Sequence, residues 1–281
     1  MIKAGLVLEG GAKRGIFTAG VLDYLMEQEI WLEYAVGVSA GSCNLVDYIS
    51  KQIGRTKRCF LPKYSYTKWK DIVQRKGLLD MDLLFDKYPN EIYPFDFQTY
   101  SHSKIKADIV VTNCLTGKAE YMDERTDKKR SLQIVRASSS MPLVSPMVYL
   151  DGVPYLDGGL ADSIPLHRSI QRGYKKNVLI LTRRKGYRKK VSHKLDPFYR
   201  LMYREYPELR KTIQKRPLSY NRTMDWIERL EAEGKVFVIR PRLPEVSRLE
   251  SDYDTLVHFY RHGYREAQKQ FKNLINYLKI Q

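Results

Sequence analysis

Five residues constrain this chain more than any others: Gly37-Val38-Ser39-Ala40-Gly41, set between the apolar run Tyr34–Val38 and a helical stretch, Ala40–Ile53. A G-x-S-x-G at a strand-to-helix junction makes a turn so sharp that the serine hydroxyl is aimed away from the sheet. Small residues two before and two after the serine let strand and helix approach without side-chain clashes. Ser39 then stands at a helix N-terminus, where partial positive charge favours a developing anion. A chain carrying this turn needs a buried strand and a helix folded back onto it.

The rest of the pattern repeats that unit. Residues 2–8 (IKAGLVL) read as a short buried strand, and Ile16 to Glu29 carries apolar residues at helical spacing. Further strands are predicted at Ala107–Thr112, Asn177–Thr182 and Lys235–Arg240, with helices near Ser131–Ser138 and from Asp252 to Ile280. The run 177–182 (NVLILT) is continuously apolar, as in buried parallel strands. Strands alternating with helices predict an α/β fold with a mainly parallel sheet covered on both faces. Residues 58–100 break the pattern, being rich in Tyr, Phe, Trp and Pro. They read either as an irregular insertion or as a cover over a cleft.

A second glycine turn, Glu9-Gly10-Gly11-Ala12-Lys13-Arg14-Gly15, joins the first strand to the first helix. Backbone amides in such a loop can hold an anion. The spacing is not G-x-G-x-x-G, and the G-K-[ST] ending of a nucleoside triphosphate loop is absent. With Ser39 one β-α unit later, an oxyanion hole for acyl transfer is the better reading.

A serine hydroxyl needs a base. Five histidines are present (His102, His167, His193, His258 and His262), none in a recognisable loop motif. The third signal is Tyr155-Leu156-Asp157-Gly158-Gly159, an acid at a strand end followed by residues that permit close backbone approach. The glycine loop, the early G-x-S-x-G and the late D-G-G, in that order, resemble the patatin-like phospholipase family, and most of all its bacterial members. Ala137-Ser138 with Pro142 before the acid, and Pro165 after it, agree with the family's pattern.

The resemblance runs from residue 3 to about 185. It implies a three-layer α/β/α fold, with Ser39 as nucleophile and Asp157 as general base in a dyad without histidine. It places Gly10, Gly11 and Ala12 on the oxyanion loop beside the Ala40 amide, with Arg14 and Gly15 as that loop's basic residue and closing glycine. Gly37, Gly41, Gly158 and Gly159 support the two turns. Ala12 stands where a third glycine is often found, and Asp162-Ser163 near where an asparagine is usual. The implied substrate is an acyl ester of a lipid, with no metal and no organic cofactor. On the residues alone, a histidine-triad esterase and a non-catalytic basic binding protein remain as alternatives.

Charge bears on partners. The chain has 49 Lys and Arg against 32 Asp and Glu, a net +17, and the excess is concentrated after residue 182. The densest run holds Arg183, Arg184, Lys185, Arg188, Lys189 and Lys190. Such a run attracts an anionic lipid surface or nucleic acid. No nucleic-acid-binding signature accompanies it, so an anionic membrane is the expected partner. No apolar run reaches the length of a transmembrane helix, and the N-terminus lacks the pattern of a secretory signal. Cys43, Cys59 and Cys114 are too scattered for a disulfide framework and read as reduced thiols. The expected place is therefore the cytoplasm, with peripheral contact at the inner membrane face. Residues 1–185 are expected to form the catalytic core, and 186–281 a basic region, helical with one strand, completing the same domain.

Overall fold

β1 (Ile2–Leu8) is buried from Ala4 onward, as a strand flanked on both faces must be. A single 3-10 turn (Ala12–Arg14) leads into α1 (Gly15–Glu27), followed by β2 (Leu32–Val38), α2 (Ala40–Ile49) and α3 (Arg55–Phe60). The computed structural model describes residues 1–61 and 80–279. After the second boundary come α4 (Leu83–Ile92, wound as a π-helix), α5 (Phe97–His102), β3 (Lys106–Asn113) and β4 (Ala119–Met122). Next are α6 (Lys128–Ser139), β5 (Val148–Leu150), β6 (Val153–Asp157), α7 (Leu166–Gln171) and β7 (Asn177–Ile180). The last third supplies α8 (Asp196–Met202), α9 (Pro207–Ala232), β8 (Val236–Ile239) and α10 (Tyr253–Lys279).

The strands form one sheet in the order β5-β6-β3-β2-β1-β7-β8, with β4 also paired to β3. From β3 to β8 along this order every pairing is parallel, whereas β4, β5 and β6 pair antiparallel. Leu8 lies level with Gly37 of β2 and Ile180 of β7, so the loops after these three strands leave the sheet on one side. Strand 177–182 thus runs parallel to the strand ending at Ser39, as expected. The chain moves outward from β1 through β2 to β3 and returns on its other side at β7. Crevices at such a switch of direction are where open α/β sheets bind ligands.

Successive side chains alternate between two cores. Leu6 and Leu8 join Ile16, Phe17, Leu45 and Phe259 on one face, under α1, α2 and α10. Val7 and Leu179 join Tyr220, Met224 and Ile227 of α9 on the other. The result is a three-layer α/β/α fold with a mainly parallel sheet, as the resemblance implied. α10 lies so close to α1 that a methyl on Gly263 would stand 2.1 Å from the Phe17 carbonyl oxygen, and one on Gly20 2.1 Å from that of Tyr260. The last third is therefore built onto the same sheet: β8 extends it beyond β7, and α9 and α10 cover opposite faces.

Within the aromatic-rich segment 58–100, Tyr88 is buried and Phe95 and Tyr100 enter the main core, which accounts for part of its composition. Residues 62–79, part of the stretch expected either to pack irregularly or to cover a cleft, lie outside the described residues. Among the described residues, no helix is long and apolar enough to cross a membrane.

Candidate active site

β2 ends at Val38, and the chain reverses at Ser39 with φ +56° and ψ −125°, a conformation that disfavours a side chain. The neighbouring glycines explain how the reversal fits. A methyl on Gly37 would meet the Gly41 carbonyl oxygen at 2.6 Å, and one on Gly41 would meet that of Leu8 at 2.5 Å. The Ser39 amide donates to Ser138 Oγ at 2.9 Å, and that hydroxyl donates to the Val110 carbonyl at 2.7 Å. Helix α6 thereby grips the turn. Ser39 itself is only 6% exposed.

Asp157 arrives from the other direction, at the end of β6 opposite Val111 of β3. Its backbone is held by Asp157 N–H donating to Ser140 O at 2.8 Å and by Thr112 Oγ1 donating to its carbonyl at 2.9 Å. A methyl on Gly158 would stand 2.1 Å from the Val110 carbonyl oxygen, so only glycine lets the strand end come this close. The carboxylate then reaches Ser39: Oγ to Oδ2 is 2.8 Å, while Oδ1 accepts the Gly159 amide at 2.7 Å. Burial pushes this carboxyl above the usual carboxylate range. The Arg216 guanidinium, the Ser39 hydroxyl and the Gly159 amide pull against that rise.

The glycine loop passes directly beside the serine. A methyl on Gly10 would lie 3.1 Å from Ser39 Cβ, one on Gly11 2.7 Å from Thr182 Oγ1, and one on Gly15 2.6 Å from Ala40 Cβ. Ala12, at the position where a third glycine is usual, adopts φ +48°, in the left-handed region. Within this loop the amides of Glu9, Lys13 and Arg14 donate to backbone carbonyls. Those of Gly10, Gly11 and Ala12 have no such partner among the described residues. Arg14 is buried, its Nε sealed and without a hydrogen-bond partner, and burial with nearby Arg183 and Arg248 lowers its pKa to about 10. Glu9 fixes the base of the loop, accepting from the Thr182 amide (2.6 Å), Thr182 Oγ1 (3.1 Å) and Tyr220 OH (2.9 Å).

The histidines lie elsewhere. His102, His167, His193 and His258 are exposed, and Nε2 of buried His262 accepts the Arg242 amide at 3.0 Å. None is hydrogen-bonded to Ser39 or Asp157 among the described residues.

Most of the basic run, expected to meet an anionic surface, is engaged within the fold. Arg183 and Arg184 both pair with Glu245 (3.6 Å each), and Arg188 pairs with Asp225 (2.6 Å) and Glu228 (2.7 Å). Lys189 turns inward, its Nζ 3.2 Å from Ser163 Oγ and 3.8 Å from the Tyr220 ring centroid. Only Lys185 and Lys190 are exposed and outside such pairs among the described residues. The counter-charges come from residues 37 to 62 positions away, which a run of six basic residues does not announce.

Arg216, Tyr220 and Thr182 are part of this site and carried no sequence signal. Each reaches it through a contact made only by the fold.

Comparison with known proteins follows the same division of the chain. The patatin-like phospholipase model matches residues 6–170, and a domain of unknown function (DUF6363) matches 206–279. An uncharacterized protein of Escherichia coli, YjjU, is 32% identical over 196 residues, covering 64% of this chain and 52% of that protein. Lysophospholipase NTE1 of Kluyveromyces lactis is 26% identical over 277 residues, 92% of this chain and 18% of that protein. The chain thus spans about half the length of the first relative and under a fifth of the second. VipD from Legionella pneumophila shares the fold, with a TM-score of 0.54 at 14% identity over 96% of this chain and 67% of that one. With the match extending over more than half of its residues, the chain belongs to the patatin-like phospholipase family.

Proposed function

We propose that the protein is a serine acyl hydrolase acting on lipid esters through a Ser39–Asp157 dyad. The observation that carries this reading is the 2.8 Å contact between Ser39 Oγ and Asp157 Oδ2 at the apex of a strained turn. Ser39 Oγ attacks the ester carbonyl and its proton passes to Asp157 Oδ2. Raised basicity from burial suits Asp157 to that task. The carbonyl oxygen, now an anion, rests on the amides of Gly10, Gly11, Ala12 and Ala40, with Arg14 behind the loop that Gly15 closes. Collapse expels the alcohol, which takes the proton from Asp157. Water then attacks the acyl-enzyme, giving its proton to the same carboxylate; collapse breaks the bond to Ser39 Oγ, which takes that proton back as the acid leaves. No metal or organic cofactor enters this sequence of steps.

Lys185 and Lys190 are the part of the basic loop free to meet an anionic leaflet, on the side of the sheet where Ser39 opens. We place the protein in the cytoplasm, a setting in which its three cysteines persist as thiols.

Labelling with a fluorophosphonate, together with hydrolysis of a short-chain nitrophenyl ester, tests the dyad. Wild type is expected to label and turn over; Ser39→Ala and Asp157→Asn should each lose on the order of 10³-fold in kcat. Near-wild-type turnover by either folded variant removes the dyad reading.

A further inference from the structure

We infer that the last third of the chain builds a phosphate-binding pocket onto the Ser39–Asp157 site, formed by Lys189, Arg216 and Arg248 together with Arg14. It would hold the phosphate of a lipid substrate's headgroup, and this rests on the acyl-hydrolase reading above.

Arg216 projects from α9 toward the catalytic turn. The point where a Gly159 Cβ would stand is 3.0 Å from Asp157 Oδ1 and 3.3 Å from Arg216 Nη2, so both groups face the same small space. Yet Arg216 makes no hydrogen bond or ion pair among the described residues, and its Nε is sealed from solvent without a partner. Arg14, 5% exposed, has the same unpartnered Nε on the glycine-loop side. Lys189 enters after β7, its Nζ held, among the described residues, by Ser163 Oγ and the face of Tyr220. Arg248 is exposed, at the rim, on the loop after β8, whose backbone is tied to the glycine loop where Lys13 N–H donates to Arg248 O at 3.3 Å. Lys189 and Arg216 thus meet beside Gly159, where Ser163 Oγ stands 3.8 Å and Arg216 Nη2 3.3 Å from the same point, with Arg14 and Arg248 on the glycine-loop side.

Two carboxylates, Glu9 and Asp157, offset these cations only in part: both attract Lys189, Glu9 attracts Arg14 and Asp157 attracts Arg216. Neither forms a direct ion pair with them among the described residues, since the oxygens of Glu9 accept from Thr182 and Tyr220 and those of Asp157 from Ser39 and Gly159. The contrast with their neighbours is direct, because Arg183, Arg184 and Arg188 each have an acidic partner. Like charges drawn together out of water are costly. The cost is visible in the cations: burial and mutual repulsion push Lys189 well down and lower Arg216 as well. A cluster of this kind is relieved by an anion from outside. Guanidinium forks match tetrahedral oxyanions, and a phosphate held here would lie beside Ser39, as it must in a phospholipid whose phosphate is a few bonds from the scissile ester. Arg216 and Arg248 fall within the stretch matched by the domain of unknown function, so the pocket gives that domain a task.

The source of the phosphate, lipid headgroup or free ion, is separated by two arms. In the first, the Ser39→Ala protein is melted in inorganic phosphate or in chloride at matched ionic strength. A saturable rise in Tm is expected with phosphate alone, with apparent affinity at least tenfold weaker when Lys189→Gln or Arg216→Gln is added. Arg216→Lys, which keeps the charge and loses the fork, should fall between. It also serves if Arg216→Gln fails to fold. In the second arm, wild type hydrolyses a lysophosphatidic acid and a monoacylglycerol of the same acyl chain. A kcat/KM ratio of at least ten in favour of the phosphate-bearing ester is expected, falling toward one in Arg216→Gln. No phosphate-specific shift, or a shift untouched by the substitutions, overturns the pocket. A phosphate shift with a wild-type ratio near one overturns the headgroup assignment and leaves a free-phosphate site. If wild type hydrolyses neither ester, the acyl-hydrolase reading fails while the melting arm still decides the pocket.

Discussion

Ser138 holds Ser39 by its backbone: the Ser138 hydroxyl accepts a hydrogen bond from the Ser39 amide at 2.9 Å and donates one to the Val110 carbonyl at 2.7 Å. A non-glycine residue in the left-handed region costs roughly 1–2 kcal/mol, so the turn needs anchoring from outside itself. Ser138→Ala leaves a buried amide without a partner, at a cost of about 1–3 kcal/mol. The expected outcome is a matching loss in urea unfolding and a fall in kcat with little change in KM, since the turn relaxes without altering where the substrate docks. Unchanged kcat would mean that the packing at Gly37 and Gly41 holds the turn alone.

The electrostatics of Asp157 set the acid limb of the pH profile. As base it must be ionised, so kcat/KM falls when pH drops through its pKa. Burial raises that pKa, and Arg216 holds it down. Removing the cation in Arg216→Gln therefore moves the acid limb to higher pH, whatever the variant does to KM. Profiles of kcat/KM for a neutral ester, in wild type and variant, measure the displacement. A limb that stays in place, or moves to lower pH, removes Arg216 from the field that acts on Asp157.

What was legible in the sequence is what depends on neighbours in the chain. β1 and β2 declare themselves because Ala4–Leu8 and Tyr34–Val38 are buried on both faces and so read as apolar runs. Gly37 and Gly41 mark the turn at Ser39 because backbone lies 2.6 Å and 2.5 Å from where their methyls would be. α9 lies in the region expected to be helical, but its bounds carried no signal: it buries only Leu209, Tyr220, Met224 and Ile227 over 26 residues, and carries Pro217 in its interior. The antiparallel strands β4, β5 and β6 span three to five residues each, too short for a period to emerge. Arg216 and Lys189 gain their meaning from Asp157 and Tyr220, which only the folded chain brings near.

Lys185 and Lys190 are expected to account for most of the salt-sensitive attraction to anionic vesicles. Each basic residue near an anionic leaflet contributes about 1 kcal/mol, so Lys185→Gln with Lys190→Gln should weaken vesicle binding on the order of 10- to 30-fold. Arg188→Gln should instead loosen the loop by breaking its pairs with Asp225 and Glu228, and affect binding less. Co-sedimentation with vesicles with and without anionic lipid, at low and physiological salt, compares the two. Equal binding by wild type and the double variant would leave the loop a solvated surface.

Asp23 gives a stability test away from the site. It is 3% exposed on α1, where Oδ1 accepts the Gly54 amide at 2.9 Å and Oδ2 accepts Tyr260 OH at 2.7 Å. Burial outweighs both bonds and raises its pKa to about 6. A carboxyl whose folded pKa lies above its unfolded value stabilises the fold in its protonated form. That contribution is complete below the ordinary carboxylate pKa and is lost as pH rises through about 6. Asn is the isosteric mimic of the protonated acid: its oxygen can accept from Gly54 and its amide can donate to the Tyr260 hydroxyl. At about 1.4 kcal/mol per pKa unit, a shift of this size sets an upper bound of roughly 3 kcal/mol. Asp23→Asn is therefore expected to be about 1–3 kcal/mol more stable than wild type at pH 8, with the difference fading by pH 4. Urea unfolding of both proteins at pH 4, 6 and 8 measures it. A variant less stable than wild type at pH 8 would show that ionised Asp23 recovers its desolvation through Gly54 and Tyr260.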